Sequence, residues 1–132
     1  MNFTAAGHSM VIRSATEKDL DRVLEIDQLS FPTPWTHHCF KITLKDIFFV
    51  IERKEIMGYL VACLCDLGLR VEVLRIAVHP DHRRNGIAKE LIETMLQLLS
   101  KENADFSRWA FRQVKDLERL IKEIESNDLS ME

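Results

Sequence analysis

Leu74-Arg75-Ile76-Ala77-Val78-His79-Pro80-Asp81-His82-Arg83-Arg84-Asn85-Gly86-Ile87-Ala88 decides how this chain of 132 residues folds. An apolar strand ends at His79-Pro80, a short basic loop follows, and a helix begins beside Gly86. Over 86–100, Ile87, Leu91, Met95 and Leu98 form one stripe with Ala88, Ile92 and Leu99 beside it, which is the period of an amphipathic helix. A helix start leaves its first N–H groups without intrahelical partners and carries a partial positive charge, so it attracts anions such as phosphate. Gly86 lets backbone and anion approach closely, Ala88 keeps the first turn uncrowded, and Arg83 and Arg84 add fixed charge.

Working outward, strands are expected at 10–13, 47–51, 56–65 and 71–78. The run 56–65 is apolar on both faces, which marks a central strand. Thr16 is placed to cap a helix over 17–29, with Asp19 three residues on and Leu20, Val23, Leu24 and Asp27 at helical spacing. Phe31-Pro32-Thr33-Pro34-Trp35 breaks that helix, and Thr36 caps a short second one holding Phe40 and Leu44. Val114, Leu117, Leu120, Ile121 and Ile124 predict a final amphipathic helix over 113–125. Met1 to Ser9 show no periodicity and read as a disordered extension, native or appended, outside the fold. The order predicts one mixed α/β (α+β) domain, a mostly antiparallel sheet flanked by helices.

Lys and Arg number 18 against 21 Asp and Glu, a net charge of −3, which gives no overall pull toward nucleic acid or an anionic membrane. No apolar run approaches the length of a membrane span. The 3 Cys form no C-x-x-C pair and sit in or near apolar runs, so they read as reduced, buried thiols of a cytoplasmic protein. His79, Asp81 and His82 have no zinc-ligand spacing, and the two histidines read as structural or solvent-facing; no metal is expected.

The run from Arg83 to Ala88, behind the Ile76-Ala77-Val78-His79-Pro80 strand end, resembles the acetyl-CoA signature R/Q-x-x-G-x-G/A of the GCN5-related N-acetyltransferase superfamily. The resemblance implies that Arg83, Arg84, Asn85, Gly86, Ile87 and Ala88 hold the pyrophosphate of CoA. It implies that the backbone of Ile76, Ala77 and Val78 pairs with the pantetheine arm. Ile12-Arg13-x-Ala15-Thr16-x-x-Asp19-Leu20 is similar to the opening of that family. Phe31-Pro32-Thr33-Pro34-Trp35-Thr36 is similar to the loop of its ribosomal-protein alanine N-acetyltransferase branch, which makes Phe31, Pro34 and Trp35 the expected wall of the acceptor site.

The resemblance covers 10–104, the expected acetyl-CoA-binding core. Residues 105–132 depart from it: the family's N-x-x-A-x-x-L-Y motif and its last strands have no counterpart, and Tyr59 is the single tyrosine. Glu72, on the strand Val71-Glu72-Val73-Leu74, is the candidate general base. Simple alternation puts it on the face of Leu74 and Ile76 unless a bulge intervenes, and an ion pair with Arg70 or Arg75 is the competing role. The resemblance thus implies transfer of acetyl from acetyl-CoA to an amine, with a protein N-terminal α-amine as the expected acceptor. The competing expectation is a CoA-binding or protein-interaction module with little turnover. An open sheet edge beyond 71–78, or the final helix, would then serve a homodimer.

Overall fold

The computed structural model describes residues 2–4, 10–65, 70–102, and positions 119 and 122. Among these residues five strands lie in the order β1-β2-β3-β4-β5, all neighbours antiparallel. They are β1 (Asn2–Thr4), β2 (Val11–Ser14), β3 (Ile47–Glu52), β4 (Ile56–Cys65) and β5 (Arg70–Val78). Three continuous helices accompany them among the described residues: α1 (Leu20–Ser30), α2 (His37–Ile42) and α3 (Ile87–Glu102). The expected helix over 113–125 lies outside the described residues, apart from Arg119 and Lys122, both helical and exposed.

Side-chain alternation sorts the core into two layers. On one face Phe49 and Ile51 of β3, Leu60 and Ala62 of β4, and Ile76 and Val78 of β5 pack under Ile87, Ala88, Leu91, Ile92 and Met95 of α3. On the other, Phe48, Val50, Tyr59, Val61 and Ala77 pack against Leu20, Val23 and Ile26 of α1 and Phe40 of α2. β4 supplies both layers, as its two apolar faces require. Each large aliphatic side chain so buried contributes about 1.5 to 3 kcal/mol of transfer free energy.

Three local departures from the sequence expectation have physical causes. Asn2–Thr4, expected outside the fold, pair with β2 through Asn2↔Arg13, Phe3↔Ile12 and Thr4↔Val11, which gives the outer edge of β2 backbone partners. Residues 17–19 form a 3-10 turn, so the α-helix starts at Leu20. Asp19 holds that turn: its Oδ2 accepts the Thr16 N–H at 2.8 Å, and both carboxylate oxygens accept from the Arg13 guanidinium at 2.8 Å. Cys39 and Cys63 are partly exposed, not buried: Cys63 stands in register with exposed Glu72, and Cys39 lies on the short α2, whose buried residue is Phe40. No helix among the described residues is long and apolar enough to cross a membrane.

Candidate active site

The site is built where β5 changes register and where it ends. Arg75 stands opposite Val61 and Val73 opposite Ala62, so Leu74 has no partner on β4 and forms a bulge. Val71 and Val73 before the bulge, and Ile76 and Val78 after it, all pack toward α3. The bulge therefore places Glu72 on the opposite face, the side of Arg75 and Ala77, and not on the face of Ile76 as unbroken alternation would give. Glu72 is exposed and pairs in register with Cys63. The apolar flanks of Glu72 in sequence do not become apolar surroundings in space.

Beyond Val78 the backbone turns sharply. His79 donates its N–H to Met57 O at 2.8 Å, and its Nδ1 accepts the Asp81 N–H at 3.1 Å, so this histidine shapes the 3-10 turn at Pro80–His82. Arg84 (φ 67°) and Gly86 (φ 76°) are both left-handed, a conformation that costs a non-glycine residue about 1 to 2 kcal/mol. Left-handed residues on either side of Asn85 turn successive N–H groups into one concavity, the geometry of an anion nest. Glu90 donates to Gly86 O at 3.0 Å, closing the first turn of α3. The N–H groups of Ile87, Ala88 and Lys89 therefore have no intrahelical acceptor. A Cβ built on Gly86 would meet nothing within 4 Å, so the approach to these groups is open.

The two arginines divide the work differently from the expectation that both project charge. Arg83 folds inward: Nε donates to Val78 O at 2.8 Å and Nη2 to Ser30 Oγ at 3.1 Å. Partial burial lowers its guanidinium below the ordinary arginine value. Arg83 thus fastens the loop to the ends of β5 and α1, while Arg84 is exposed and offers the charge. Asn85 Nδ2 donates to His82 O at 3.3 Å and braces the same loop.

The start of α3 lies close on the sheet because of Gly58. A Cβ there would stand 2.9 Å from Ala77 O and 3.2 Å from Ile87 Cγ2. Sequence reading missed this glycine, though an isolated glycine inside a strand is the usual mark of a close approach.

It also missed a buried cluster at the bulge. Asp27 of α1 is fully buried, and it accepts from the Tyr59 hydroxyl, from Arg75 Nε at 2.9 Å and Nη2 at 3.0 Å, and from the Trp35 N–H at 2.8 Å. Arg75 therefore pairs with Asp27, not with Glu72. Its guanidinium carbon lies 3.6 Å over the Phe31 ring and 5.3 Å from that of Trp35. Burial is the largest single influence and lowers Arg75, but the hydrogen bonds and charge of Asp27, with smaller contributions from Tyr59, together outweigh it and hold the guanidinium above its ordinary value. Burial and the Asp27 carboxylate push the Tyr59 phenol well above its ordinary range. Trp35 rests on Phe40 with centroids 5.0 Å apart, and Pro34 is exposed. The signal for the cluster was an acid in register with Leu20 and Val23 on a buried stripe, which needs a partner.

Phe31 and Trp35 thus flank Arg75, next to the bulge on the α1 side, with Pro34 exposed between them in sequence, and residues 83–88 form the cradle beyond the end of the same strand. Residues 20–121 match the model of the acetyltransferase (GNAT) family. The chain is 26% identical over 110 residues to the N-alpha-acetyltransferase of Saccharolobus solfataricus, covering 73% of this chain and 66% of that protein. It is 26% identical over 101 residues to the putative ribosomal protein bS18-alanine N-acetyltransferase of Bacillus subtilis, covering 70% of this chain and 64% of that one. The matches thus span just under two thirds of the length of these relatives. In fold it resembles Arabidopsis thaliana Naa50 in complex with the bisubstrate analogue CoA-Ac-MVNAL, with a TM-score of 0.63, 19% identity and coverage of 73% of this chain and 68% of that one. With most of its length matched by the family model, the chain belongs to the acetyltransferase (GNAT) family.

Proposed function

We propose that this chain transfers an acetyl group from acetyl-CoA to an amine, and that the acceptor is a protein N-terminal α-amine. One observation carries the reading: a bulged strand leads through the 79–86 loop to a helix start whose N–H groups, left-handed Arg84 and open Gly86 make an anion cradle. That is the arrangement a phosphate-bearing ligand with a long polar arm needs. The donors of Ile87, Ala88 and Lys89, with the charge of Arg84, suit the pyrophosphate, and the β5 backbone over Ile76, Ala77 and Val78 suits the amide-rich arm.

The chemistry follows from the bulge. Backbone N–H groups released from the ladder there polarise the thioester carbonyl. The neutral amine attacks the carbonyl carbon, the C–S bond breaks, and the sulfur leaves as thiolate, which takes up a proton. Glu72, on the acceptor face, accepts the amine proton directly or through water. Tyr59 is not the proton donor, since its hydroxyl is buried on Asp27. An aromatic–proline wall suits a peptide backbone, and relatives whose names specify N-alpha and alanine N-acetyl transfer support that acceptor class.

The test is release of free CoA thiol from acetyl-CoA with N-terminal peptides, beside a lysine side-chain amine as control. Faster release with N-terminal peptides is expected, and Glu72→Gln should lower kcat by roughly 10² to 10⁴. Thermal stabilisation by acetyl-CoA without thiol release would leave a binding module, and no stabilisation would refute the cradle.

A further inference from the structure

The hydrogen bonds of residues 31–35, among the described residues, all converge on Asp27 and Arg75. Phe31 donates its N–H to Asp27 O at 3.0 Å, and Trp35 donates its own to Asp27 Oδ2 at 2.8 Å. Thr33 O accepts from Arg75 Nη2 at 3.2 Å. Pro32 and Pro34 have no N–H to give, and both are exposed, as is Thr33. The Phe31 ring lies under the same guanidinium. One forked side chain thereby ties α1 and the proline loop to the strand position next to the bulge.

From this we infer that Arg75 is a positioning residue for the acceptor: clamped on Asp27, it sets the distance between the Phe31–Trp35 wall and the bulged strand. The inference rests on the acetyltransferase reading and deepens it. A lysine at this position would keep the charge but not the fork, and so cannot hold both Asp27 oxygens and Thr33 O in one plane. The wall reads its ligand by shape. Positions 32 and 34 lack the N–H groups a β-ladder needs, and Thr33 O is already bound, so a peptide finds no strand to extend there. An acceptor is recognised by how its first residue fits between wall and bulge, and a small shift of the wall changes that fit.

The variants are Arg75→Lys and the charge-neutral pair Asp27→Asn with Arg75→Gln, which avoids stranding a buried carboxylate. Steady-state kinetics with an N-terminal peptide at saturating acetyl-CoA should show an acceptor KM raised by roughly tenfold or more for both, with the acetyl-CoA KM unchanged. Amide hydrogen exchange reads the clamp without turnover, and the Trp35 N–H should lose protection in both variants while β3 and β4 keep theirs. Folded variants with unchanged acceptor KM overturn the inference, as does an equal rise in both KM values. If the unsubstituted protein releases no thiol with any peptide, the acetyltransferase reading fails by itself. The clamp is then judged by exchange alone, and unaltered protection at Trp35 refutes it.

Discussion

Gly58→Ala places a methyl group where the protein has none to spare. The new Cβ would lie 2.9 Å from Ala77 O, 3.2 Å from Ile87 Cγ2 and 3.5 Å from Ile51 Cγ2. The two side-chain methyls can yield by a few tenths of an ångström. The carbonyl cannot, because Ala77 is in register with Tyr59 and its backbone belongs to the β4–β5 ladder. Overpacking of this kind costs about 1 to 3 kcal/mol, and replacing glycine within a strand returns about 0.5 to 1 kcal/mol. The net loss is at most about 2.5 kcal/mol and centres on about 1 kcal/mol, which for a domain of this size lowers Tm by roughly 3 to 6 °C at the centre of that range. Urea unfolding should show a lower midpoint with an unchanged m-value. The same substitution lifts Ile87, the first residue of α3, away from the sheet, so acetyl-CoA should stabilise the variant less although Gly58 touches no ligand in this reading. A variant as stable as the parent, and equally stabilised by acetyl-CoA, would refute the close-packing account of the helix start.

Three further outcomes are expected. Gly86→Val should abolish stabilisation by acetyl-CoA in thermal melts, because a branched side chain would fill the open approach and resist φ 76°. Arg84→Gly should separate two effects, relieving about 1 kcal/mol of left-handed strain in the free protein while weakening acetyl-CoA binding by about 1 to 3 kcal/mol through the lost charge, read by melting with and without ligand. Arg13 hydrogen bonds hold the Asp19 carboxyl below its ordinary range, so this group contributes stability above its unfolded value that is lost as pH falls through the folded one. Asp19→Asn should therefore be less stable near neutrality and show a shallower loss of stability below about pH 4, measured by urea midpoints across pH.

The parts of the fold readable in the sequence were those with local causes. The α3 stripe, the Thr36 cap, the double-faced β4 and the start of α3 beside Gly86 each follow from neighbours a few residues apart, and residues do sit as those patterns imply. What escaped were relations between distant segments. Leu74 looks like any strand leucine until β4 is laid beside it and the register skips. Arg83 and Arg84 are adjacent and alike in sequence, yet one faces Ser30, which is 53 residues earlier, and the other faces solvent. Asp27 reads as one turn of a helix face, and Arg75 as a strand-end partner for Glu72, because their separation of 48 residues hides the pair. The short β1 escaped because three residues carry too little pattern to be told from a tail.

The bulge at Leu74 and the end of β5 at Val78 lie on one antiparallel sheet, and the strand between them is fully extended. From Leu74 to Val78 are four strand steps, about 13 Å at roughly 3.3 Å each. On the proposed reading this run is a gauge. A thioester whose arm is too short cannot rest its phosphate on the helix and its carbonyl at the bulge together, and one too long must buckle to do so. Acyl carriers would then be sorted by length alone, with the backbone as the ruler and no side chain required to read the mark.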